Sequence, residues 1–290
     1  MIEPANAVIA SRFVFDSAAL LLWGAGLFCW LIAPKELGPK LWNKLASVRV
    51  AAVVFVCLAV VTMLPARAAA LGDGWLSALD GKIVWLLLVS TSIGSAWLVS
   101  AAAALSLVII MLARRDHSAV FSLTAAVLLC STVLTGHSAM SEGWLKAAHQ
   151  ANSAFHVLGA GAWVGALVPV LLILPGLRED KSGSSRKALM RFSTMGHLVV
   201  AAVIVSGVIS SMLIVGGLPL DITSTYQLLL WIKIAVVAAM VGLAISNRYL
   251  FVPRLRSKVG ALNALIMGTI MELLLAAIAI GVFRRANLTP

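Results

Sequence analysis

The chain has 290 residues, of which 61% are hydrophobic and 11% charged, with a formal net charge of +11. A soluble domain carries about a quarter of its residues as charges, so this composition excludes an ordinary soluble domain and indicates a polytopic membrane protein. The excess of Lys and Arg lies between apolar runs, where it acts as a topology signal and not as a nucleic-acid surface.

The first apolar run follows "MIEPANAVIASRFVF", which lacks the basic segment of a cleaved signal peptide, so it is read as a retained span. Runs of about 20 apolar residues, enough to cross roughly 30 Å of hydrocarbon, recur from there to the end. They predict an all-α bundle of eight transmembrane helices in one membrane domain: about 8–33, 47–68, 83–113, 120–135, 152–174, 192–216, 226–251 and 261–283. The third run is too long for a perpendicular span, so it either tilts or lays its Trp85 end in the interface. Lys35, Lys40, Lys44 and Arg49 follow the first span and Arg114 and Arg115 the third. Arg178, Lys181, Arg186, Lys187 and Arg191 follow the fifth, and Arg248, Arg254, Arg256 and Lys258 the seventh. Alternate loops carry few cations, which places these four inside and both termini outside; only the terminal Arg284 and Arg285 oppose this.

Polar residues within the spans carry the functional signal, because an ionisable group in hydrocarbon is costly and usually faces a pathway or site. His149 and His156 lie seven residues apart, nearly two turns, and so share a stripe of the fifth helix about 10 Å apart in depth. Trp163 continues that stripe, and Gly161 and Gly165 have the small-xxx-small spacing that admits a neighbouring helix. A ring at the depth of His156 either bonds to another helix or holds an ion. His137 and Met140 lie near the outer end of the fourth span, and Met63 near the outer end of the second. Met195 and His197 lie towards the inner end of the sixth. Imidazole suits both copper states and several other metals, whereas thioethers favour Cu(I). His117 reads as a solvated loop residue, and most of the ten methionines as packing.

Asp16 follows Arg12 at helical i,i+4 spacing, so a local ion pair competes with a functional role. Glu272 falls near the middle of the last span, with Lys233 of the seventh as a partner; an ion pair and a cation or proton role stand side by side. Cys29, Cys57 and Cys130 are solitary and read as small core residues without a disulfide framework. No GxxxxGK[ST], GxSxG or HExxH motif occurs, and no nucleophile has an evident base, so the chain is not read as an enzyme.

In order, "RFVFDSAALLLWGAGLF", "GHSAMSEGW", "NSAFHVLGAGAWVGALVPVL" and "RFSTMGHLVVAAVIVSGVISS" resemble the CopD family of copper-resistance membrane proteins. "TYQLLLWIKIAVVAAMVGLAISNRYLFVPRL" and the Glu-led "MELLLAAIAI" continue the likeness, which spans most of residues 11–280. Asn152 stands where members often have Asp, and Gln227 where Gly is common. The resemblance implies copper handling across the bacterial inner membrane, often with a periplasmic carrier of the CopC type; in that membrane the outside termini read from the loop charges are periplasmic. It also implies functional roles for His137, His156 and, more distantly, Asp16 and His197. The expected function is import of copper ions through a His/Met-lined path, with copper as substrate and membrane lipids as the other partner. In that path His137, His149 and Met140 capture the ion, His156 relays it, and Met195 with His197 releases it. The alternatives are a haem-binding redox protein using His137 and His156 as axial ligands, or a protein that docks the carrier without flux.

Overall fold

The computed structural model describes residues 2–113, 117–135, 143–178, 180, 182–215, 224–256 and 260–286. Among them the α-helices are α1 (Pro4–Leu27), α2 (Gly38–Lys44), α3 (Ala46–Leu71), α4 (Gly81–Ser90), α5 (Ser92–Leu112) and α6 (Ser118–Ser131). They continue with α7 (Gly143–Val164), α8 (Leu167–Ile173), α9 (Ser184–Val215), α10 (Thr225–Ser246) and α11 (Gly260–Ala286). Two π-helical turns, Phe28–Ile32 and Asn247–Phe251, extend α1 and α10. Seven of the resulting helices are long and apolar enough to cross a membrane. Ser118–Leu134, where the fourth span was expected, is apolar but shorter.

Three expected spans change their bounds, each for a local reason. The run 83–113 is not one tilted helix: Thr91 is extended, with φ −127° and ψ 156°, and separates α4 from α5. Its hydroxyl donates to the Leu87 carbonyl at 2.6 Å and accepts from the Gly94 N–H at 3.2 Å, so one side chain closes the first helix and caps the second. The fifth span begins nine residues early, at Gly143, and breaks at Gly165 and Ala166. Pro169 explains the break, since it has no N–H for the Gly165 carbonyl and its ring would strike that carbonyl in a continuous helix. The sixth begins at Ser184 because Asp180 organises the preceding turn. The Asp180 carboxylate accepts from the Ser182 hydroxyl at 2.5 Å and the Ser185 N–H at 2.6 Å.

At the centre of the bundle, α1 packs against α3, α6, α7 and α11. Phe15, Ala19, Leu22 and Phe28 of α1 are fully or almost fully buried there. Its contact with α7 is a backbone-on-backbone crossing. A Cβ at Gly24 would overlap the Gly161 carbonyl and the Gly165 backbone, and one at Gly165 would overlap the Leu20 carbonyl. The Trp23 indole then donates to the Leu158 carbonyl at 2.8 Å, tying the two helices at the same level. Arg49, expected as a loop cation, is instead buried, with its guanidinium 3.7 Å from the centre of the Trp42 ring. Cys29 is buried, Cys57 and Cys130 are half-buried, and all three are free thiols.

Gly24→Ala should lower the thermal stability of the purified protein by about 1–3 kcal/mol, the usual cost of overpacking. Gly242→Ala, where an added Cβ meets nothing within 4 Å, should not. Hydrogen bonds from Ser182 and Ser185 hold the Asp180 carboxyl down at about 2, against its ordinary 3.8. A depressed carboxyl stabilises the fold above its unfolded value and loses that contribution as pH falls through the folded one. Protection of the amides at the start of α9, relative to their intrinsic exchange rates, should therefore fall between pH 4 and about 2, and Asp180→Asn should remove that pH dependence.

Candidate functional site

The polar stripe of α7 enters the bundle at successive depths. Near its N-terminal end His149 is buried, with 4% of its surface exposed. One turn further, the Asn152 amide donates to the Ser206 carbonyl and the Ser210 hydroxyl of α9, both at 2.9 Å. A carboxylate could not donate to that carbonyl, so Asn at this position has a role of its own between the two helices.

His156 faces the same helix. Its Nδ1 lies 3.1 Å from the Val203 carbonyl and 3.0 Å from the Ser206 hydroxyl. A carbonyl only accepts, so the Val203 contact puts the proton on Nδ1 and leaves the lone pair on Nε2. Among the described residues no hydrogen bond reaches Nε2. Gly207 makes room for the ring, since a Cβ there would lie 3.2 Å from His156 Cε1. Ser206 is itself buried and donates to the Ala202 carbonyl at 2.7 Å, so the anchoring hydroxyl is held in place by its own helix. A neutral imidazole with one nitrogen pinned by an outer partner and the other open is the form in which histidine binds a metal.

Two turns deeper, Trp163 reaches α11, where its indole donates to Glu272. Glu272 is 3% exposed and also accepts from the Asn247 amide at 2.6 Å. The Oδ1 of Asn247 is buried without a hydrogen bond, against Gly268, where any Cβ would overlap it. Lys233 is not the partner of Glu272: it precedes Asn247 by fourteen residues on the same helix, about 21 Å along the axis. The carboxylate is held by an amide and an indole.

Among the described residues, His197, Met195, Met63 and Asp16 do not gather around His156. His197 Nδ1 lies 2.8 Å from the Ser193 carbonyl and Nε2 3.2 Å from the Tyr249 hydroxyl, so both its nitrogens are engaged. Met195, two residues earlier and hence on another face of α9, lies in an open groove with Arg186, Lys187 and Arg191. Met63 lines a cavity of about 20 Å³ together with Arg12, Arg67 and Ser100. Asp16 and Arg12 are both buried in α1, and Arg12 donates to the Thr135 hydroxyl at 2.8 Å. His117 is exposed. His137 and Met140 lie outside the described residues. Among the described residues no three His, Cys, Asp or Glu side chains form a metal-binding group. Sequence reasoning missed Ser206, Asn247 and Tyr249. Only Asn247 carried a signal, as an amide ahead of a basic turn at the end of an apolar run.

Fold and site together define a multi-pass helical membrane protein with a histidine turned into its interior. Residues 1–147 match the model for the N-terminal domain of copper resistance protein D-like proteins, and residues 186–284 that for copper resistance protein D. The chain is 32% identical over 252 residues to inner membrane protein YebZ of Escherichia coli (strain K12), covering 86% of this chain and 85% of that one. It is 31% identical over 258 residues to copper resistance protein D of Pseudomonas syringae pv. tomato, covering 84% and 82%. To copper transport protein CutJ of Bacillus subtilis (strain 168) it is 25% identical over 234 residues, 77% of this chain but 43% of that one. No solved structure matches it. The chain belongs to the copper resistance protein D family and is a multi-pass protein of the inner membrane.

Removing the acceptor at Glu272 would strand two buried donors, each costing about 1–3 kcal/mol. Glu272→Ala should therefore lower the unfolding temperature clearly, while Glu272→Gln, which keeps a carbonyl for Trp163 and Asn247, should lose much less.

Proposed function

We propose that the chain carries copper ions across the inner membrane, from the periplasm inward, with His156 as the relay inside the bundle. The observation that carries this reading is the pinned Nδ1 and open Nε2 of His156 between α7 and α9. The names of the two copper-related relatives supply the ion. In this reading Ser118–Leu134 completes eight crossings, the four basic loops lie in the cytoplasm and both termini are periplasmic. His149 then sits about 10 Å outward of His156 on the same stripe. It forms the mouth with His137 and Met140, where a carrier of the CopC type delivers the ion. A lone imidazole at each depth is a weak ligand set, which suits a conducting path: an ion must leave each site as readily as it enters. Release falls to the inner end of α9, near Met195 and His197. The arginines beside Met195 and the engaged nitrogens of His197 make the relay, not the exit, the firmer half of the path.

Copper flux into vesicles holding the purified protein tests the relay. His156→Ala should abolish flux while the protein stays folded. Ser206→Ala, which removes one of the two partners of Nδ1 and keeps both the ring and the Val203 contact, should weaken copper binding by about 10-fold, the low end of the usual effect of losing a group that orients a metal-binding histidine. Equal flux in wild type and His156→Ala would reject the proposal.

A further inference from the structure

We propose that the open groove between the end of the first membrane helix and the start of α9 binds an anionic phospholipid, headgroup on the cations and acyl chain along the thioethers. The groove has a volume of about 700 Å³ and is lined by Leu31, Arg186, Lys187, Met190, Arg191 and Met195. The α9 residues fall at i, i+1, i+4, i+5 and i+9, which places them along one stripe of the helix. Charge and apolarity are ordered along that stripe. Arg186 and Lys187 sit in the first turn of the span, Met190 and Arg191 together a turn later, and Met195 a further turn inward. Across the groove Leu31 projects from the π-helical turn, half exposed. A phospholipid has the same order, a phosphate at the surface and hydrocarbon beneath it.

Charge decides the ligand. Arg186, Lys187 and Arg191 are all exposed, and among the described residues no carboxylate lines the groove. The nearest acid in sequence, Asp180, is already taken up by Ser182 and Ser185. Arg191 is held at the rim, its Nη1 3.4 Å from the Ile32 carbonyl. That contact leaves the rest of a five-donor fork for a phosphate. Two thioethers would suit Cu(I), but three adjacent cations repel a metal ion and attract an anion. Clusters of Lys and Arg at a membrane surface attract anionic lipid by about a factor of five per charge. The groove shares no residue with the His156 relay; of the proposed copper path it includes only Met195, at the release end.

The test uses the full chain in a neutral detergent, with phosphatidylglycerol, phosphatidylcholine of the same acyl chains, or inorganic phosphate added. Melting temperature and lipid retained in native mass spectrometry are the readouts. Phosphatidylglycerol should raise the melting temperature and stay bound, and the other two should not. Combined Arg186→Gln, Lys187→Gln and Arg191→Gln should weaken retention roughly 100-fold. Lys40→Gln with Lys44→Gln, on α2, should leave it unchanged. If the triple variant does not fold, Met190→Trp keeps all three charges but fills the groove, and should itself reduce retention. Equal retention of the two lipids, full retention by the triple variant or by Met190→Trp, or an equal response to inorganic phosphate alone would each overturn the proposal.

Discussion

A polar atom inside a membrane bundle has no water to fall back on, so it is either paired within the protein or destabilising. That constraint organises the whole of α7. Asn152 and His156 find their partners on α9, and Trp163 finds Glu272 on α11. One helix thereby ties together the less enclosed half of the molecule, where few residues of α9, α10 and α11 are fully buried. The hydrogen bonds that join these helices also set the chemistry, because the carbonyl that satisfies His156 Nδ1 is what frees Nε2.

The position of α7 depends in turn on α1. Three glycines, Gly24, Gly161 and Gly165, let the two backbones meet with no side chain between them, where packing rather than hydrophobicity holds membrane helices together. Just beyond that crossing Pro169 releases the helix, and α8 continues separately against α1 and α11. The crossing and the break bracket Trp163, so the indole is held on a rigid segment as it reaches for Glu272.

Apolar run length was legible at seven of the eight expected spans, since the thickness of hydrocarbon sets it directly. Finer bounds were less so. One hydroxyl, that of Thr91, divides a run that reads as a single helix, and apolar periodicity is blind to such a side chain. The stripe of His149, His156 and Trp163 was also legible, because helical periodicity alone puts residues seven apart on one face. Arg49 was misplaced for a related reason: a cation after a span counts as a topology signal, and nothing local shows that Trp42 will cover it.

By itself, then, the sequence determined the class of protein, the order of its membrane helices and the inward stripe of α7, all of which follow from local composition and periodicity. Tertiary structure alone decided the partners. It set Ser206 and Val203 against His156, gave Glu272 to Asn247 and Trp163 instead of Lys233, and closed Tyr249 onto His197. The reason is geometric: a periodicity says which side of a helix a residue occupies, but only the crossing of two helices says what stands opposite it.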